Sequence, residues 1–253
     1  MACSNPQMLI MKSTVHCLFI LLLGVACTTQ AQCRKTIRWN NDNLQQFDPA
    51  YQKNISSHLK LLHKAITQLD CQVTFLEMPW GRSLVELQHG RLDIMDGAYK
   101  TVERQQFAWY SNFAFDAPLV LFMRTEDIRK NAINSLPDIL KYQLKIGTQH
   151  NVIYSDEFTQ LLNDKNFASL VYANTSRKAL WNMLKIGRID GVISELTPGL
   201  SELKSLNLSA QISPSDFVIS TQATYFIFSK KTVTYDFVKA VDRELLKLSS
   251  QMP

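Results

Sequence analysis

Apolar positions along the chain switch between a repeat of two residues and a repeat near 3.6, and each switch marks a change from strand to helix. The extended run KTIRW is followed by the polar stretch NNDNLQQFDPAYQKN. In ISSHLKLLHKAITQLD, residues Ile55, Leu59, Leu62, Ile66 and Leu69 recur at helical spacing, with Ser56 or Ser57 placed to cap the first turn. CQVTFLE is rich in β-formers and predicts a second strand. Strand, helix, strand in that order is the pattern of a parallel crossover and points to an α/β fold.

The next unit occurs twice. PWGRSLVELQHG has a proline suited to a helix start and a glycine suited to its stop, and RLDIMDGA resumes an extended pattern. About a hundred residues on, ALWNMLKIGRIDGVISE repeats the plan, so that Gly90–Asp93 (GRLD) matches Gly187–Asp190 (GRID). Two lobes built on similar α/β units are expected. Between the echoes, PLVLFMRTED reads as a strand entering a charged turn, and LPDILKYQLKIGTQHNVIYSDEFTQLL as helix, strand, loop and helix. Near the end, STQATYFIFSKK alternates as a strand. TYDFVKAVDRELLKLSS is an amphipathic helix with Phe237, Val241, Leu245 and Leu248 on one face.

The first thirty residues follow another logic. Lys12 is the only formal charge before Arg34, and VHCLFILLLGVAC leads to small and polar residues, the layout of a secretory signal peptide. Residues 1–31 are assigned to it, with cleavage after Ala31, translation starting at Met1 or Met11, and a periplasmic product. Lipidation at Cys27 is the competing arrangement, although Gly24 stands where a lipobox carries leucine. Cleavage removes Cys3, Cys17 and Cys27. The remaining pair, Cys33 and Cys71, reads as a disulfide in an oxidising compartment.

The net charge of +5 is spread without a basic run, which disfavours a nucleic-acid partner. His58, His63, His89 and His150 form no zinc pattern and read as surface or capping residues. Neither a GxSxG elbow nor a phosphate loop is present. No metal or cofactor is expected.

The order proline, tryptophan, arginine, then GRLD, then threonine, Glu103, Arg104, aromatic and serine, with the second GRID later, resembles the family 3 periplasmic solute-binding proteins. The resemblance spans the chain from Cys33 to the last helix. It implies a two-lobed clamshell of type II-like topology, each lobe a sheet flanked by helices. Lobe 1 would hold residues 33–121 and 222–253, lobe 2 residues 122–221, with two crossing strands as hinge. It also implies a monomer that captures a small polar, carboxylate-bearing solute, an amino acid or relative, for a separate inner-membrane permease of an ABC importer.

By the same resemblance Arg104 grips the carboxylate, a role suited to a bidentate guanidinium. Thr101 would cap its short helix, and the competing reading is a surface pair with Glu103. Gly97, Tyr99, Trp80, Glu195, Asn151 and Phe47 complete the expected ligand-binding set. Tyr99 stands where the family has a small hydroxyl residue, and Glu195 where it has aspartate. Asn151 and Val152 replace its Gly-Thr. These departures disfavour a standard α-amino acid. A dehydratase-like enzyme of the same fold and a ligand-sensing partner of a membrane receptor are the alternatives, and catalysis would have to rest on Glu195 with His150.

Overall fold

The computed structural model describes residues 36–40, 57–128, 130 and 133–251. The signal segment, Cys33, Phe47, Ile55 and Ser56 therefore lie outside the described residues.

The chain runs β1 (Thr36–Asn40), α1 (Ser57–Gln68), β2 (Gln72–Leu76), α2 (Trp80–Gln88), β3 (Ile94–Ala98), α3 (Val102–Phe107) and β4 (Ala108–Asp116). It continues through β5 (Leu119–Arg124), α4 (Thr125–Ile128), α5 (Pro137–Lys141), β6 (Ile146–Gln149), α6 (Asp156–Leu161), α7 (Lys165–Ala168) and β7 (Val171–Asn174). Then come α8 (Arg177–Lys185), β8 (Gly191–Glu195), α9 (Leu196–Ser205), β9 (Ile212–Ser220), β10 (Ala223–Ser229) and α10 (Tyr235–Ser249). These form two five-stranded sheets with helices on their faces, ordered β2-β1-β3-β10-β4 and β7-β6-β8-β5-β9.

The sheets share one plan. In each, the second strand in that order pairs in parallel with its two neighbours, as β1 does with β2 and β3, and β6 with β7 and β8. The fourth strand is antiparallel to both strands beside it. The chain crosses between sheets at residues 117–118 and 221–222, and the ends of the crossings lie side by side: Asp116 is opposite Ala223, and Leu119 is opposite Ser220. Residues 119–121, expected in lobe 1, belong to β5 and pair with β8 and β9 in the second sheet. The crossing comes earlier because the apolar run LVLF suits a strand buried on both faces. Leu119, Leu121 and Met123 enter one core cluster, and Val120 and Phe122 enter the cluster on the opposite face.

The GRLD and GRID units match in detail. Gly90 and Gly187 both adopt left-handed backbone, at φ +74° and +73°, which a residue without Cβ supplies at little cost. The Gly90 amide donates to the Leu87 carbonyl at 3.1 Å and Gly187 to Leu184 at 3.2 Å. Each aspartate then accepts the backbone amide of the parallel neighbour strand, Arg38 N to Asp93 at 2.8 Å and Lys145 N to Asp190 at 2.9 Å. The repeated letters thus encode one helix stop and one strand anchor.

Helices α1 and α10 cover one face of the first sheet, where Leu62, Ile66, Val241 and Leu245 meet Ile37, Trp39 and Phe228. Val238 takes the fully buried place expected for Phe237, which packs at the margin. Pro79 stands at the N-cap of α2, one position before the first helical residue.

Candidate functional site

A cavity of about 250 Å³ is lined from both sheets, at the scale of a small molecule. Asn40, Trp80, Asp96, Gly97, Tyr99 and Arg104 line it from the first sheet's elements; Gln149, Arg177 and Glu195 line it from the second; Phe115 to Leu119 line it at the crossing.

Arg104 owes its position to α3. Thr101 caps that helix, its hydroxyl accepting the Arg104 amide at 3.1 Å, as expected. The Arg104 side chain then turns inward and is buried, while Glu103 is exposed. Its Nη1 donates to the Tyr99 carbonyl at 3.1 Å and its Nη2 to the Asn151 carbonyl at 3.4 Å. Burial pulls its pKa down, opposed by Tyr110 and Glu103, yet a guanidinium stays charged. Among the described residues no carboxylate forms an ion pair with it. The Trp80 ring lies 5.9 Å from its central carbon, within cation–π reach.

The other expected residues fall in different places. Gly97 lines the cavity with left-handed backbone at φ +70° and open space where a Cβ would stand. Tyr99 lines it too, but its ring packs with the core of the second sheet, and burial pushes its phenol above the ordinary range. Trp80 stands in the first turn of α2, its Nε1 buried and without a hydrogen-bond partner. Asn151 is absent from the lining. It sits at the rim in left-handed backbone, holding Arg104 with its carbonyl, and its side chain lies 2.6 Å from where a Cβ on Gly81 would fall. Phe47 lies outside the described residues. Arg82, two residues beyond Trp80, is exposed and pairs with Glu86 at 2.7 Å.

Glu195 ends β8 in the lining, but its carboxylate accepts Arg177 Nη1 at 3.0 Å. Arg177 also pairs with Glu202, which takes Trp181 Nε1 at 2.6 Å. Glu195 therefore belongs to a network inside the second sheet's half. His150 is not among the lining residues.

Several lining residues escaped sequence reasoning. Asn40 ends β1 and is 5% exposed, with its side-chain oxygen unpartnered. Asp96 accepts Trp39 Nε1 at 3.2 Å. His58, expected at the surface or as a cap, stacks on Phe115 with ring centres 4.0 Å apart, and burial lowers its pKa to about 4. Asp96 had one visible signal: a charge inside an otherwise apolar strand run, IMDGA. Among the described residues no group of His, Cys, Asp and Glu is arranged to hold a metal.

No protein-family model matches the chain, and no curated protein matches it. Solved structures do. An ancestral arginine-binding protein bound to arginine superposes with TM-score 0.69 at 19% identity, over 85% of this chain and 93% of that one. An amino acid ABC transporter substrate-binding protein, AbpA from Streptococcus pneumoniae bound to L-arginine, gives 0.66 at 23% identity, over 85% and 89%. A histidine kinase sensor domain with similarity to periplasmic binding proteins gives 0.66 at 13% identity, over 87% and 92%. The two sheets with flanking helices are therefore the fold of the periplasmic binding proteins.

Proposed function

We propose that the mature chain is an exported solute-binding protein that captures a small polar, carboxylate-bearing solute between two lobes for an ABC importer. The observation that carries this reading is Arg104: a buried cation lining a cavity built from both sheets, with no carboxylate bound to it among the described residues. A desolvated guanidinium presents two parallel donors to a carboxylate, and such charge-assisted pairs are the strong ones. Trp80 Nε1 adds a donor that lacks a partner. The paired crossings at residues 117–118 and 221–222 are suited to a hinge, and closure on ligand follows from differential binding to the closed form. The likeness to arginine-bound proteins supports binding rather than turnover.

Residues 1–31 direct export to the periplasm, and the partner is a separate permease chain. The Cys33–Cys71 bridge is supported by the burial of Cys71 in the core of the first sheet. A sensing role, with a membrane receptor in place of the permease, is supported by the kinase sensor domain of the same fold. A permease and ATPase encoded beside this chain favour import; a receptor favours sensing.

The test is a thermal-shift panel of amino acids, organic acids and amines on wild type, Arg104→Ala and Arg104→Lys. Compounds that stabilise wild type are expected to lose roughly 10- to 100-fold in affinity in Arg104→Ala, as befits a lost hydrogen bond to a charged group. Lysine, lacking the fork, restores only part. A compound that stabilises all three proteins equally refutes the arginine grip.

A further inference from the structure

Besides the two crossings, groups of the protein itself join the halves across the cleft. Ala98 ends β3 and Tyr99 follows it, yet these neighbours enter different cores. Ala98 packs in the first half with Leu87 and Ile227. Tyr99 enters the cluster of Leu119, Tyr154 and Ile193 in the second, with only 8% of its surface exposed. Its backbone stays tied to the first half, because the Tyr99 carbonyl accepts Arg104 Nη1 at 3.1 Å and the Tyr110 hydroxyl at 2.9 Å. Tyr99 is thus rooted on one side of the cleft and buried on the other.

A second contact lies at the rim. Asn151, two residues beyond β6, turns through left-handed backbone at φ +63° and offers its carbonyl to Arg104 Nη2 at 3.4 Å. Its side chain rests against α2 of the first half: a Cβ added to Gly81 would stand 2.6 Å from Asn151 Nδ2 and 3.4 Å from its Cγ. Gly81 is not one of the left-handed glycines, so its missing side chain matters here for space and not for backbone freedom.

We infer that Tyr99, with Asn151 at the rim, latches the two halves together, so that the cleft closes on protein contacts before any solute contributes. None of these contacts needs a bound molecule. The latch goes beyond the function proposed above, and its test uses no solute, so the failure of either leaves the other standing. Parting the halves would expose the Tyr99 ring to water, and exposing an aromatic side chain shifts an equilibrium by about 10- to 100-fold. The closed form gains that factor over a chain with a small residue at position 99. A solute then enters while the latch is open, and little of its binding free energy is spent on closure.

Pulsed electron paramagnetic resonance tests this through spin labels at Lys60 of α1 and Leu200 of α9. Both positions are exposed, on helices that begin at the cavity wall, one in each half. The chain is first unfolded in guanidinium, dialysed and refolded, and mass spectrometry confirms that no small molecule is retained. Wild type and Tyr99→Phe, which keeps the ring, are expected to share one short distance. Tyr99→Ala and Gly81→Leu should each add a longer distance, with the ratio of closed to open falling about 10- to 100-fold in Tyr99→Ala. Melting curves check that each variant folds, and if Tyr99→Ala does not, Gly81→Leu decides. A wild type found mainly at the longer distance overturns the latch, as does one distance distribution shared by all four proteins. A shift in Tyr99→Phe as large as that in Tyr99→Ala overturns the assignment to the ring.

Discussion

Asp93 and Asp190 occupy the same place in the repeated unit, but replacing them should have unequal effects. Asp93 is fully buried. Its Oδ2 accepts Arg38 N at 2.8 Å and Nε at 2.9 Å; its Oδ1 accepts Arg38 Nη2 at 2.8 Å and the Thr232 hydroxyl at 2.6 Å. Hydrogen bonding to this carboxylate is what chiefly raises the Arg38 pKa. Asp93→Ala leaves the guanidinium with the Gly90 carbonyl as an acceptor at 2.8 Å and deprives a strand amide of its partner. Breaking a buried pair costs 3–5 kcal/mol, and because the Arg38 side chain is 33% exposed the lower end, about 3 kcal/mol, applies. Asp190 is 31% exposed and accepts Lys145 N at 2.9 Å and Arg124 Nη2 at 3.1 Å. Without it, Arg124 still holds Asp127 and the carbonyls of Leu184 and Ile189, so the cost falls to about 1 kcal/mol. For a chain of this size each kcal/mol lowers Tm by about 2–4 °C, giving losses of about 6–12 °C for Asp93→Ala and 2–4 °C for Asp190→Ala. Scanning calorimetry of the two variants measures both. Equal losses, or a larger one at Asp190, would refute the claim that burial and the bidentate pair set the difference.

Two further outcomes follow from packing and titration. Gly147 lies in β6, and a Cβ there would stand 2.7 Å from Ile189 Cδ1 and 2.9 Å from Leu180 Cδ2, both in the core; Gly147→Ala should destabilise by about 1–3 kcal/mol in urea unfolding. A stabilised variant would contradict that packing. Burial lowers the His58 pKa from 6.5 to about 4, so the unfolded chain takes up a proton first. The stability this contributes is complete above pH 6.5 and is lost as pH falls towards 4, up to about 3 kcal/mol. His58→Phe, which can keep the stack on Phe115, should flatten the fall of Tm between pH 7 and 4.5; identical profiles for variant and wild type would sink the assignment.

How much could be read in advance depended on how many faces of an element are buried. Strands β1, β3, β5, β6, β8 and β10 lie inside the sheets, and their apolar runs were legible. Strands β4, β7 and β9 were not read as strands, and all three are sheet edges; the fourth edge, β2, was legible from its β-formers. β9 carries Pro214 and Asp216 and β7 is four residues long, features an edge tolerates because fewer backbone and apolar groups are satisfied by neighbours. The pairing of residues 119–121 shows a related limit: an apolar run announces a strand but not which sheet it joins.

The sequence alone determined the local devices. Helix stops at Gly90 and Gly187, the Thr101 cap and the arginine it presents are each set by neighbours within a few residues or by a repeated motif. Only the tertiary structure decided how these parts meet. That Arg104 is buried beside Tyr99 and away from Glu103 depends on where α3 lies against the second half. That Glu195 is held by Arg177, and that Asn40 and Asp96 join Arg104 around one cavity, depends on strands distant in the chain being brought side by side. Hydrogen bonds over a few residues are written in spacing; the field inside a cavity is a sum over charges that sequence distance does not order.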